Sequence, residues 1–246
     1  MKPIGSAIIL ALLPAIAQAE EDGIAFRFGL GPSVAPGYFG DAGKDVGVTG
    51  SFELERFKLG GLSFGGEDSE GLGFGGSVRY IGARDAEDYS ELEGLETVDP
   101  SLELGGGLSY TIADFTAFAN VRYGVIGHEA FVAEVGGDYL FYPREKVTMS
   151  VGPRAVWGDD TFAQTYFGVT DDEALASAFD SYDAGAGLVS AGVAVEATYA
   201  FNDDWELVAS MRYDRLQGDA ADSPLTESDD QLSTSVVLTR RFSFDF

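Results

Sequence analysis

One histidine and no cysteine occur among the 246 residues. A Ser-His-acid or Asp-His centre therefore has only His128 as its base, and thiolate nucleophiles, disulfides and thiolate metal sites are excluded. His128 sits between Gly127 and Glu129 at an expected hairpin tip, where a polar side chain needs no catalytic role. A triad is defined by geometry and not by presence. A zinc site is equally poorly supplied. Gly71-Leu72-Gly73-Phe74-Gly75-Gly76 has the glycine density of a nucleotide loop, but it alternates like a strand and no helix follows it. The doublets Asp159-Asp160, Asp171-Asp172 and Asp229-Asp230 offer the hard oxygen ligands of Ca²⁺, or of divalent bridges to lipopolysaccharide phosphates. None has the spacing of a dedicated loop site, and solvated loop charge explains them more simply. The expectation is a protein that is not an enzyme and carries neither cofactor nor metal.

The richer chemistry lies in charges that alternate with apolar side chains along the chain. Arg27, Arg79, Arg122, Arg154, Arg212 and Arg241 all fall opposite aromatic or aliphatic faces, as do Glu53, Glu55, Glu103, Glu134, Asp138, Glu196 and Asp214. Period two is the repeat of a β-strand. Phe131, Ala133, Val135, Gly137, Tyr139 and Phe141 share one face against Glu134, Gly136 and Asp138. Val147, Met149, Val151, Pro153, Ala155 and Trp157 oppose Thr148, Ser150, Gly152 and Arg154. The same pattern runs through 189–201 and 205–213.

In a soluble sandwich the second face meets water and is rich in Lys, Glu and Thr; here it is largely Gly and Ser with isolated charges. Aromatic residues such as Phe28, Tyr80, Tyr110, Phe115, Tyr142, Trp157, Tyr199 and Tyr213 gather at the ends of the apolar faces, where the interfacial girdles of an outer-membrane barrel lie. Strands are expected near 24–34, 46–64, 71–83, 101–112, 115–126, 129–142, 146–157, 187–201, 204–215 and 232–246, with 46–64 one long strand bent at Gly60-Gly61. That makes an all-β chain, a single antiparallel transmembrane β-barrel of about ten strands, with twelve as the alternative. Long loops at 35–45, 84–100, 158–186 and 216–231 then share one end, and short turns at 65–70, 113–114, 143–145 and 202–203 the other. That sorting is the one such barrels show.

Composition agrees. Forty-one acidic against 15 basic side chains leave a formal charge of −26, so phosphate contacts are poorly served and no nucleic-acid partner is expected. With 45% hydrophobic residues, including 18 Phe and 11 Tyr, the chain has too much apolar material to be disordered. Residues 1–19 differ: Lys2, an apolar run over 4–13 and Ala17-Gln18-Ala19 have the layout of a secretory signal peptide, leaving 20–246 as the barrel domain. No second long apolar run follows. An exported, cysteine-free chain of this length points to the envelope of a Gram-negative bacterium, with outer-membrane lipid and lipopolysaccharide as its surroundings. Leu238, Phe242, Phe244 and Phe246 lie on one face of the last strand. This pattern resembles the closing-strand signal read by the barrel assembly machinery.

If the aromatic faces meet lipid, the six arginines and seven carboxylates point into the lumen, since Arg toward the membrane midplane costs roughly 2–4 kcal/mol. A barrel this narrow can be filled by such groups as a plug of mutual ion pairs, or lined by them as a selective pore.

Thr165-Tyr166-Phe167-Gly168-Val169, Tyr182-Asp183-Ala184-Gly185-Ala186-Gly187-Leu188 and Gly218-Asp219-Ala220-Ala221-Asp222-Ser223-Pro224-Leu225 resemble motifs of the MltA-interacting protein (MipA)/OmpV family. Pro36-Gly37-Tyr38-Phe39-Gly40, and Leu92-Glu93-Gly94-Leu95 before Leu102-Glu103-Leu104-Gly105, follow the same family in order. The resemblance spans the region after residue 19 and implies an outer-membrane barrel. It further implies a scaffold that brings a lytic transglycosylase together with a peptidoglycan synthase, and it brings no catalytic residues. A small channel or solute-binding barrel, with 158–186 folding in as a lid, and a surface adhesin or receptor built from the long loops are the other functions the residues allow.

Overall fold

Alternation of apolar and polar residues shapes almost every regular element of the computed structural model, which describes residues 22–59, 62–65 and 70–246. The expected signal peptide lies outside the described residues. Eleven strands form: β1 (Gly23–Ala35), β2 (Asp45–Leu59), β3 (Leu62–Gly65), β4 (Gly71–Ile81), β5 (Ser101–Ile112), β6 (Phe115–Ile126), β7 (Phe131–Arg144), β8 (Val147–Gly158), β9 (Gly187–Ala200), β10 (Trp205–Leu216) and β11 (Asp230–Asp245). They make one antiparallel sheet in the order β3-β2-β1-β11-β10-β9-β8-β7-β6-β5-β4. First and last strands pair, with Phe26 opposite Phe242 and Leu30 opposite Leu238. That pairing wraps the sheet into a barrel.

The second expected strand needs correction. Leu59 pairs with Leu62 and Arg56 with Gly65, antiparallel, so the chain reverses between β2 and β3 instead of bending through. Gly60 and Gly61, between the paired residues, lie outside the described residues. β3 then runs in the same direction as β4, and the two are successive parts of one stave. Ten staves result, and the barrel is nearly closed, its ladder interrupted where β2 faces β4.

The faces are those of a membrane barrel. Phe28, Leu30, Tyr80, Leu108, Tyr110, Phe131, Tyr139 and Phe244 are exposed on the outside, while Glu103, Arg122 and Glu134 are buried within. Apolar groups outward and charges inward invert the arrangement of a soluble protein. Among the described residues no helix is long and apolar enough to cross a membrane. Short turns such as 113–114 and 145–146 lie at one end, and the long connections 82–100, 159–186 and 217–229 lie at the other.

The apolar core sits at the long-loop end. Helix α1 (Asp160–Phe167) begins at Asp159, whose side chain accepts the Phe162 N–H at 2.9 Å and the Phe131 N–H at 2.7 Å. One carboxylate thus satisfies an orphan donor of the helix and ties it to β7. Phe162, Ala163, Tyr166 and Phe167 form the buried face of α1, packed with Val132, Val156, Val189 and Leu216 of the barrel wall. Helices α2 (Asp171–Ala176) and α3 (Asp219–Asp222) complete the cover.

Candidate functional site

Charged side chains inside the barrel are joined at three levels. Near the short turns, Arg27 Nε lies 2.5 Å from Glu55 and its NH1 3.3 Å from Glu206, while Arg241 Nε donates to Glu55 at 2.6 Å. Midway, Arg154 NH2 donates to Asp138 at 2.7 Å, its NH1 donates to the Gly137 carbonyl at 3.1 Å, and its guanidinium lies 4.9 Å from the centre of the Phe118 ring. Under the long loops, Arg122 donates to Glu103 at 2.8 Å and to Glu134 at 3.0 Å; Arg79 also pairs with Glu103, and Arg212 reaches Glu134 at 2.6 Å and Asp214 at 2.5 Å. Glu134 on β7 and Arg212 on β10 belong to non-adjacent strands, so their bond spans the interior. Eleven of the thirteen residues singled out from sequence meet in this way. Among the described residues, Glu53 and Glu196 reach no cation at salt-bridge distance.

His128 departs from expectation. It lies in the hairpin connection between β6 and β7, as expected, beside the positive φ of Gly127 (+88°) and Glu129 (+49°), but it is buried there. Gly124 leaves room for the ring, since a Cβ there would stand 2.5 Å from His128 Cε1. Nδ1 accepts the Ala130 N–H at 3.1 Å, which puts the imidazole proton on Nε2, 3.1 Å from Glu103 Oε1. Both ring nitrogens are thereby engaged. Ser101 Oγ accepts the His128 N–H at 3.2 Å and the Tyr166 hydroxyl at 3.0 Å. The Ser, His and acid are close, yet the histidine has no free nitrogen for the serine.

The helical cover rests directly on this upper network. Arg79 lies 5.7 Å from the centre of the Phe162 ring, and the His128 ring meets Phe162 edge-on at 5.3 Å. Burial raises the Tyr166 phenol above its ordinary pKa, despite its bond to Ser101. In α2, Thr170 and Glu173 form a capping box. Burial works to raise the Glu173 carboxyl, but backbone donors at Thr170 and Glu96, and the charge of Arg84, hold it below the usual range. Two of the acidic doublets serve as caps and tethers: Asp160 accepts the Ala186 N–H at 2.8 Å, and Asp230 accepts the Tyr213 hydroxyl at 2.6 Å. No cluster among the described residues could hold a metal ion.

The aromatic closing strand is placed on the outer face. Phe242 and Phe244 stack on Phe26 with ring centres 5.4 and 6.2 Å apart, and the Phe246 N–H donates to the Asp22 carbonyl at 3.0 Å. Arg84, Ser101, Phe118 and Phe162 were not singled out from sequence, whereas Tyr166 stands in the motif at 165–169. Phe118 alone carried a legible signal, being on the same strand face as Arg122.

A family model described as MltA-interacting protein MipA matches residues 28–242. The chain is 24% identical to the MltA-interacting protein of Escherichia coli strain K12 over 255 residues, covering 98% of this chain and 99% of that protein. It is 25% identical over 170 residues to the outer membrane protein Omp26La of Vibrio anguillarum, covering 68% of this chain and 63% of that one. It is likewise 25% identical over 162 residues to the outer membrane protein OmpV of Vibrio cholerae, covering 65% and 62%. Among solved structures, the NanC porin aligns over 88% of this chain and 98% of its own, with a TM-score of 0.37 and 8% identity. Neisserial surface protein A aligns over 91% and 100%, with a TM-score of 0.29 and 10% identity.

Proposed function

The chain belongs to the MipA family of outer-membrane barrels, and from that premise we propose that it is a closed, membrane-held interaction protein serving the cell-wall machinery. The observation that carries this reading is the obstructed lumen. α1 packs across the long-loop end, and beneath it the Arg212–Glu134 pair reaches past two intervening strands into the lumen. A barrel filled in this way offers surfaces instead of a path. The relative named for its interaction with MltA supports a lytic transglycosylase as partner, and a peptidoglycan synthase would be the second enzyme on the scaffold. Their contact would lie on the short-turn end, which faces the periplasm in such barrels. The engaged nitrogens of His128 support a role without catalysis. In this reading residues 1–19 direct export and are removed, and Phe242, Phe244 and Phe246 present the closing strand to the barrel assembly machinery.

Crosslinking in native envelopes followed by capture of the barrel tests the proposal. A lytic transglycosylase or peptidoglycan synthase should be recovered, and planar bilayers holding the purified barrel should stay electrically silent. Steady ion-selective conductance with no cell-wall enzyme in the crosslinked material would overturn it in favour of a channel.

A further inference from the structure

A cavity of about 350 Å³ lies beneath the cover, between the loop after β1, the loop after β4 and helix α1. Phe39, Ile81 and Phe162 supply apolar wall, and Arg79, Arg84 and Arg212 bring three guanidiniums to it against the single carboxylate of Asp214. Arg212 is neutralised by Asp214 and Glu134, and Arg79 by Glu103. Arg84 makes no salt bridge among the described residues, and the Glu173 carboxylate acts on it only from beyond that distance. It is 5% exposed, its NH1 donates to the Tyr166 carbonyl at 2.9 Å, and its Nε is buried without an acceptor. Arg79 Nε is also buried without an acceptor.

A guanidinium stays charged in a protein, and a buried charge with no carboxylate in direct contact is costly. Capping the last turn of α1 accounts for NH1 of Arg84, but it leaves the Nε side unused. The two Nε groups are sealed from the cavity as the side chains stand, so a carboxylate, which can accept two parallel N–H groups, engages that side of the fork as the guanidinium turns toward it. In a chain of net charge −26, a cationic, partly apolar hollow is a local exception that selects for an anion. We propose that this cavity binds a small organic carboxylate, its head on Arg84 and Arg79 and its apolar body against Phe39 and Phe162. The proposal is independent of which envelope protein the barrel contacts.

Calorimetric titration of the barrel purified in detergent tests it, with benzoate as probe. Benzoate should bind saturably. Benzamide, of the same shape without the charge, should bind about tenfold more weakly or worse, as should inorganic phosphate, which has no apolar body. Arg84→Gln should weaken benzoate binding to a similar degree, and Arg84→Lys, which keeps the charge but loses the fork, should weaken it less. Arg240→Gln, near Trp205 at the other end of the barrel, should leave it unchanged. Absence of saturable benzoate binding, equal affinity for benzamide or phosphate, or full affinity in a folded Arg84→Gln barrel would each overturn the proposal. The benzamide and phosphate comparisons use the wild-type barrel, so the proposal falls or stands even where a variant fails to fold.

Discussion

Replacing Glu103 with Gln removes one charge from the most buried point of the lumen while keeping the side chain's shape. The carboxylate is fully shielded, paired with Arg79, 2.8 Å from Arg122 Nε and 3.1 Å from His128 Nε2. Breaking a buried pair by removing one partner costs about 3–5 kcal/mol, because the other charge is left behind. Two features pull the value toward the lower end. Arg122 keeps Glu134 at 3.0 Å, and Arg79 is 26% exposed and can recover some hydration. The expected loss is therefore about 3 kcal/mol. Asp245→Asn is the matched control: its pair with Arg56 is similar in length, at 3.1 Å, but Asp245 is 58% exposed, so the loss should stay under about 1 kcal/mol. Urea unfolding of barrels folded into vesicles, followed by the heat-modifiable band shift, gives both values if the denaturant slope is unchanged. Equal midpoints for Glu103→Gln and Asp245→Asn would refute the claim that the upper network is a dry, interdependent unit.

Ala155→Arg places a charge on the lipid side of β8, and it should cost roughly 2–4 kcal/mol of insertion free energy; a normal yield of heat-modifiable protein would reverse the assignment of faces. Phe246→Ser should lower outer-membrane yield and increase periplasmic degradation, and unchanged yield would mean that the terminal aromatic is not read during assembly. Because the Glu173 carboxyl titrates below its ordinary value in the folded chain, its stabilisation of α2 should be complete above the unfolded pKa of about 4.3. It should fade only as pH falls further, through the folded value. Hydrogen exchange across 170–177 should show this loss on acidification in wild type and not in Glu173→Gln, whereas Thr170→Ala should weaken α2 by about 1 kcal/mol at neutral pH.

Barrel, faces and most of the loop sorting were legible in the residues because each depends on a local repeat; the short turn expected at 65–70 was not, since the chain reverses after Leu59 and 66–69 lie outside the described residues. A strand's period of two decides which side chains share a face, and the cost of charge in lipid decides which face turns in. Val147 to Trp157 reads this way with no knowledge of its neighbours. The direction of the chain after Leu59 was not legible, since a pair of glycines permits both a bend and a reversal, and only the pairing of Leu59 with Leu62 separates them. The partners within the lumen were likewise beyond reach. Arg212 meets Glu134 from 78 positions away, and Arg241 meets Glu55 from 186; such pairings follow from register and closure summed around the whole sheet. The burial of His128, the seat of α1 over the network and the burial of Arg84 against α1 have the same origin. Each arises where loops without a repeat of their own settle against walls brought together by barrel closure, so only the tertiary structure decides them.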